Sequence, residues 1–201
     1  MKFRMLTLIL CSLTVGSIAQ TTKGTISLGG AVSFSKSTSP TTDGDVESSQ
    51  FSISPKAGYF LADGMELGLS LAFSSAKSES DGNEGPTTNE TAIGPYFKYY
   101  MYTSNEDFAF TLNAELLFGS TKTSFPGDGI DDQKGSNISF AISPGFSYFF
   151  TDKIGLDFQL RGIVFGKSDP NKDIHDNETT FFELGASSLS PSLGFRYFIS
   201  R

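Results

Sequence analysis

The residues best suited to chemistry are charged side chains that stand inside alternating, strand-like segments. Seven such positions share one face: Lys56, Glu66, Lys98, Glu115, Asp157, Arg161 and Arg196. The three carboxylates among them could serve as paired groups for acid–base catalysis. Because they alternate with four basic residues, a structural network of ion pairs fits them better, since an unpaired buried charge is very costly. We therefore predict a charge network and no catalytic residue.

Two further groups contain residue types that can carry out chemistry. His175 is the only histidine, and catalysis by Ser or Thr would require it as a base between a nucleophile and an orienting acid. Asp128, Asp131 and Asp132 could bind calcium, but their spacing differs from the usual calcium loop. We interpret both groups as solvated loop residues. No phosphate-binding glycine loop or zinc spacing is present, so the sequence predicts no metal and no cofactor.

The ends and the charge of the chain indicate its compartment. Residues 1–19 combine a basic start, a short apolar run and small residues, which predicts a signal peptide cleaved between Ala19 and Gln20. Residues 20–201 then form one domain without cysteine, because Cys11 is the only one. Loss of Lys2 and Arg4 leaves 13 basic and 22 acidic residues, a net charge of −9. Such a chain is a poor partner for nucleic acid.

A predicted β-hairpin at Ser54–Phe73 shows how the charged residues are positioned. Two alternating runs flank the tight turn Ala62-Asp63-Gly64. In the second run the bulky apolar residues fall on one face and small or polar residues on the other, because side chains alternate across a strand. The bulky positions are Met65, Leu67, Leu69, Leu71 and Phe73.

The same alternation predicts eight strands joined by three short turns and four long loops. The expected strands include the stretches Gly24–Lys36, Gln50–Leu61, Met65–Ser75, Thr91–Met101, Phe108–Phe118, Ile138–Phe150, Ile154–Val164 and Leu189–Ile199. The expected loops are Ser37–Ser49, Ala76–Glu90, Ser120–Ser136 and Lys167–Glu178, with net charges of −3, −3, −1 and −2. Together these loops account for the net charge of −9 expected for the mature chain.

Side-chain volume decides which face is inside. The interior of an eight-stranded barrel is just wide enough for packed side chains, so the many Phe, Leu, Ile and Tyr residues must face outward, where only lipid tolerates them at this density. Glu183 is the one charge expected on the bulky face, which also includes Val164. The predicted fold is all-β, an eight-stranded antiparallel up-and-down transmembrane β-barrel.

Aromatic and proline positions repeat along the strands. Four tyrosines on the bulky face near the short turns predict an interfacial girdle, with ordinary cross-strand aromatic pairing as the alternative. They are Tyr59, Tyr99, Tyr148 and Tyr197. Four prolines in mid-strand lack a ladder donor, so bulges or bends are expected there. They are Pro55, Pro95, Pro144 and Pro191.

With these features the chain resembles the small outer-membrane β-barrel proteins of Gram-negative bacteria, of the porin-like or OmpA/OmpX type. The Ser-Pro-x-x-Gly-Tyr-Phe run from Ser54 and the closing run Gly194–Phe198 are most similar to the version common in Bacteroidetes. The resemblance covers the whole mature chain and implies a location in the outer membrane. One departure is that Ile199-Ser200-Arg201 follow Phe198, whereas such barrels usually end on an aromatic residue.

Three functions stay open at this point. The first is a non-enzymatic structural or surface-interaction barrel with acidic loops, the second a narrow porin-like channel, and the third a lipid-modifying enzyme that would depend on His175. The expected partners are outer-membrane lipids and lipopolysaccharide, the barrel assembly machinery, and divalent cations or basic partners at the acidic loops. The barrel is expected to be a monomer.

Overall fold

The computed structural model describes residues 21–41, 44–80, 82–127, 130–172, 177–184 and 191–199. The predicted signal peptide with its Ala19/Gln20 cleavage site lies outside these residues, as do His175, Asp128 and Leu189. No helix in the described part of the chain is both long and apolar enough to cross a membrane.

Ten strand segments in the described residues form one closed antiparallel sheet. They are β1 Ile26–Thr41, β2 Gly44–Ala62, β3 Met65–Ser80, β4 Asn83–Tyr102, β5 Phe108–Ser124, β6 Gln133–Thr151, β7 Ile154–Leu160, β8 Ile163–Asp169, β9 Thr179–Glu183 and β10 Pro191–Ile199. Segments β7 and β8 make up the seventh barrel strand, and β9 and β10 the eighth. Pairing of β1 with β10 closes the ring. The predicted eight-stranded antiparallel barrel is therefore confirmed.

The hairpin predicted at Ser54–Phe73 is present and is formed by β2 and β3. Asp63 and Gly64 form the turn, and Gly64 adopts a φ of 71°, a left-handed conformation that glycine accepts without steric penalty. The ladder shifts register between Phe60 and Ala62, which adjusts the strands to the tight turn.

The predicted loops are too long, because the strands continue well past the apolar residues. The β1–β2 ladder runs unbroken to the pair Thr41–Gly44, and the β3–β4 ladder reaches the pair Ser80–Asn83. Polar composition suggested loops, but alternating Ser and Thr are compatible with a strand that leaves the membrane and enters water. The acidic residues of the first two predicted loops thus stand largely on extended β-hairpins.

The mid-strand prolines interrupt hydrogen bonding on one side only. Around Pro55 the β2–β3 ladder skips from Ile53–Phe73 to Lys56–Ser70 without a change of register, and the same occurs around Pro95 between β4 and β5. An antiparallel residue directs its N–H and C=O to the same neighbour, so a missing donor weakens just that side. The bulges expected at these two prolines are absent.

A bulge does occur opposite Pro144. The pairs Ile142–Ile163 and Gly145–Gln159 leave two residues of β6 opposite three residues of the seventh strand. The extra residue reverses the alternation after Leu160, which explains two wrong predictions. Val164 is buried on the lumen side, and Glu183 pairs in register with it and therefore also faces inward.

The outward face of the barrel is apolar and exposed, as the volume argument predicted. Phe34, Phe118 and Phe195 are 70%, 51% and 64% exposed, which is tolerated in contact with lipid. The inward positions hold small and polar residues, charged residues in ion pairs, and a group of buried aromatic residues. The charged side chains considered for function therefore lie in the lumen.

Candidate functional site

An aromatic layer closes the lumen next to the short turns. Phe60, Tyr100, Phe149 and Phe198 are at most 2% exposed and pack together with Ala109. The ring centroid of Phe60 lies 5.5 Å from that of Tyr100 and 6.2 Å from that of Phe198. The ring centroids of Phe149 and Phe198 lie 5.6 Å apart. Rings in tilted contact at these distances fill space and attract one another. We call these five residues the turn-end layer.

The segment that precedes β1 covers this layer from the turn side. The backbone N–H of Gly24 donates to the carbonyl of Phe60, and the N–H of Gly64 donates to the carbonyl of Thr21, both at 2.9 Å. The hydroxyl of Thr21 contacts that of Tyr102. These bonds hold residues 21–25 across the end of the barrel, so the layer is shielded from solvent.

Glu66 lies on the loop side of the turn-end layer and is fully buried. Its carboxylate forms an ion pair with Arg196 and accepts hydrogen bonds from Ser27 at 2.5 Å and Tyr100 at 2.8 Å, with Tyr96 as a further donor. A Cβ on Gly58 would collide with Glu66 Oε1, so only glycine leaves room for this carboxylate. Four donors compensate its desolvation.

A second carboxylate completes a neutral cluster across the lumen. Asp157 Oδ2 lies 2.7 Å from Lys98 Nζ and 2.8 Å from Arg196 Nε, and Asp157 Oδ1 accepts a hydrogen bond from Ser147 at 2.5 Å. Lys98 and Arg196 are almost completely buried. Together with Glu66 these residues form two cations and two anions that span the barrel. We call Glu66, Lys98, Asp157 and Arg196 the ion-pair layer.

The other three predicted network residues lie nearer the loop end. Lys56 pairs with Glu115 at 2.9 Å, on the loop side of Tyr96, whose ring centroid is 5.2 Å from Lys56 Nζ. Arg161 lies at the break between β7 and β8, is half-exposed, and pairs with Glu183 at 3.4 Å. The structure thus brings four predicted residues into one cluster and leaves three in two separate pairs.

A cavity of about 520 Å³ with a mixed polar and apolar lining occupies the loop half of the lumen. Its floor includes Asp157 and Arg196 of the ion-pair layer, and its walls carry many serines together with Gln50 and Gln159. The barrel therefore has the form of a cup, with a cavity towards the loops and a closed end towards the turns.

The four girdle tyrosines lie on the outward face near the short turns. Tyr59, Tyr148 and Tyr197 are 46%, 39% and 45% exposed. In the register their partners are mainly aliphatic, such as Ile26 opposite Tyr59 and Leu28 opposite Tyr197, so none of the four is paired with another. Their contact with the membrane interface stays a prediction.

The turn-end layer was missed by sequence reasoning, although a signal for it exists. Each aromatic of the layer directly follows a girdle tyrosine, in the pairs Tyr59-Phe60, Tyr99-Tyr100, Tyr148-Phe149 and Tyr197-Phe198. Alternation places the second member of each pair inside. The sequence-based prediction assigned only small, polar and charged residues to the inward face, so these inward aromatic residues were not recognised as a layer.

Three acidic residues of the predicted loops form ion pairs with lysines, namely Glu47, Asp132 and Glu178. Asp132 forms an ion pair with Lys122 at 2.7 Å, and the pKa of its carboxyl lies below the usual value because Lys122, and then Ser124, donate hydrogen bonds to it. No cluster of three or more His, Cys, Asp or Glu residues suited to a metal occurs within the described ranges.

Comparison with known proteins places the chain in a family. The profile of the outer membrane protein beta-barrel domain matches residues 5–188, whereas no curated protein sequence matches. Among solved structures, Neisserial surface protein A is 18% identical, with 87% of this chain and 97% of that chain covered and a TM-score of 0.47. OprG from Pseudomonas aeruginosa is 12% identical, with 92% and 100% covered and a TM-score of 0.48.

The N-terminal barrel domain of Pseudomonas aeruginosa OprF is 15% identical, with 88% and 98% covered and a TM-score of 0.41. The resemblance to small outer-membrane barrels is confirmed by the family profile, while the likeness to the Bacteroidetes version stays a prediction. Because that profile covers most of the chain and the described strands close into an eight-stranded barrel, the chain belongs to the outer membrane protein β-barrel family and is located in the outer membrane of a Gram-negative bacterium.

Proposed function

We propose that the protein is a non-enzymatic surface barrel that presents acidic hairpins outside the cell and does not conduct solutes. The observation that carries this proposal is the double closure of the lumen by the turn-end layer and the ion-pair layer. Phe60 and Glu66, one from each layer, are both 0% exposed. A continuous water path would have to pass both layers.

The ion-pair layer supports a structural role for the charged residues. A pore-lining charge acts on permeating ions through water, but Lys98 and Arg196 already bind Asp157, and Arg196 also binds Glu66. Breaking these contacts to admit an ion would leave buried charges without partners, which is strongly unfavourable. The charges therefore serve to hold opposite walls of the barrel together.

The acidic hairpins are the part available to partners. Glu47, Glu79 and Glu84 are opposite one another in the registers of β2, β3 and β4, beyond the apolar residues of those strands. A concentration of negative charge at this height would attract basic partners or divalent cations. The same charge could also act only to keep the surface soluble, and binding measurements on the hairpins decide between these roles.

Thiol labelling in intact cells tests the closure, because the one cysteine, Cys11, lies in the predicted signal peptide. Ser139→Cys lies in the loop-side cavity and should react with a membrane-impermeant reagent added outside. Ala109→Cys, in the turn-end layer, should not react before or after lysis. Asn105→Cys, exposed at a short turn, is the control that should react only after lysis. Reaction of Ala109→Cys would favour a pore instead.

The enzymatic alternative has a separate test. It depends on His175, which lies outside the described residues. Unchanged lipid A and phospholipid profiles in a His175→Ala strain are the expected result, and an altered profile would support a lipid-modifying enzyme.

A further inference from the structure

Two lysines lie side by side on the outward face of the barrel. Lys122 of β5 is directly opposite Lys134 of β6 in the register, and both side chains are exposed. Residues opposite each other on antiparallel strands have Cβ atoms about 5 Å apart, and like charges in this position repel. A nearby anion is therefore needed to make the arrangement favourable.

Neighbouring residues place this pair beyond the loop-side edge of the apolar band. On β5 the outward apolar residues run from Phe108 to Phe118, which at about 3.3 Å per residue and the usual strand tilt spans about 25 Å, the height of the lipid-facing band in such barrels. Ser120 and Ser136, also opposite each other, separate this band from the lysines. The lysines thus lie at the level of lipid headgroups in the outer leaflet.

The protein itself supplies only part of the compensating charge. Lys122 binds Asp132 at 2.7 Å, but within the described residues no carboxylate lies at ion-pair distance from Lys134. Two other outward lysines are matched one to one, Lys36 with Glu47 and Lys167 with Glu178. Lys134 is therefore the lysine of the pair without an ion-pair partner among the described residues, although Asp131 precedes Asp132 in the chain and Asp169 lies opposite Ser136 in the register.

The rest of the outward rim would direct an anion to this side. Glu47, Glu79 and Glu84 form a row of opposed carboxylates across β2, β3 and β4. Glu47 is paired with Lys36, so Glu79 and Glu84 are the members of the row that repel phosphate. Phosphate is thus disfavoured at this row, whereas the β5–β6 part of the wall offers two ammonium groups directly opposite each other.

We propose that Lys122 and Lys134 bind the phosphate of a phosphorylated glycolipid in the outer leaflet. Each ammonium group offers three donors, so one phosphate can accept hydrogen bonds from both lysines and remove their repulsion. The hydroxyls of Ser120 and Ser136 lie where sugar hydroxyls would contact them. The acyl chains then lie along Phe118 and Ile138, which are 51% and 39% exposed.

The test uses folded mature protein in zwitterionic micelles, titrated with bisphosphorylated lipid A and followed by native mass spectrometry. Each lysine near a lipid surface contributes about a fivefold change in affinity, so Lys134→Ser should weaken binding about fivefold and the double variant Lys122→Ser/Lys134→Ser more. Asp132→Asn should strengthen binding, because it removes a carboxylate that competes for Lys122. Lipid A with its phosphates removed should bind like the double variant.

The matched control is Lys36→Ser/Glu47→Ser, which removes an outward ion pair at a similar height and should leave binding unchanged. Folding of each variant is checked by the heat-dependent shift of its gel band. If the double variant does not fold, Lys134→Ser, which keeps the Lys122–Asp132 contact, decides the question. Unchanged binding by Lys134→Ser, or equal binding of phosphorylated and dephosphorylated lipid A, would overturn the proposal.

Discussion

Lys98 of β4 and Asp157 of β7 form an ion pair of 2.7 Å across the lumen, although their strands are not neighbours in the sheet. The pair therefore joins two walls of the barrel that no backbone ladder connects directly. Arg196 of β10 binds the same carboxylate oxygen at 2.8 Å, so three strands meet at one atom. This contact makes the ion-pair layer a cross-brace as well as a seal.

Asp157→Asn should destabilise the barrel strongly. The substitution leaves Lys98 buried with no carboxylate in contact, and loss of one partner of a buried ion pair lowers the free energy of unfolding by about 3–5 kcal/mol. Urea titration of protein folded in lipid vesicles measures the change. Lys36→Met, at an exposed ion pair, is the control and should leave the midpoint unchanged; similar midpoints for both variants would contradict the cross-brace.

Phe60→Ala should destabilise the barrel far more than Phe110→Ala does. Phe60 is 0% exposed and its removal leaves a cavity in the turn-end layer, whereas Phe110 is 53% exposed and faces outward. Truncation of a buried Phe lowers the free energy of unfolding by about 3–5 kcal/mol. The same urea titration compares the two variants, and an equal loss would mean that the turn-end layer is not a packed core.

The fold was predictable because strict alternation leaves few solutions. Met65 to Phe73 repeat apolar side chains at every second residue, and their volume could not fit inside an eight-stranded barrel. The inward placement of Glu66, Lys98 and Asp157 followed from the alternation of side chains along each strand. Which charge pairs with which did not follow, because pairing depends on strand tilt and stagger that a single sequence does not specify.

Other features escaped prediction for local reasons. A single extra residue near Arg161 reverses the alternation, so Val164 and Glu183 were assigned to the wrong face. Extended hairpins were mistaken for loops, because Ser, Thr and Glu occur in both. The turn-end layer was missed because Phe60 and its equivalents were regarded as part of a uniformly small inner face.

Single tryptophans can map the outward face, because the natural chain has none. Trp at the position of Tyr59 or Tyr197 should be quenched best by lipids brominated near the headgroup, and Trp in place of Phe97 best by lipids brominated deeper in the chain. Trp replacing Phe149 should be quenched by neither, because this side chain is buried in the lumen. Equal depth profiles at all four positions would contradict the girdle.

The titration of Asp132 reports the contact with Lys122. Because hydrogen bonds from Lys122 lower the pKa of Asp132 in the folded protein, the contact stabilises the folded state at neutral pH and is lost as the pH falls through the folded-state pKa. Carboxyl NMR should show this pKa rising towards its usual value in Lys122→Ser, and rising less in Lys134→Ser. An unchanged pKa in Lys122→Ser would mean that the two side chains do not interact in solution.

Single-channel recording tests the closed lumen most directly. Mature protein whose gel band shifts on heating, and which is therefore folded, is added to a planar bilayer at high salt. The account predicts no steady conductance from the natural chain, because the turn-end layer and the ion-pair layer both obstruct the lumen. A steady, uniform unitary conductance from the same folded sample would contradict it and would favour a narrow porin-like channel.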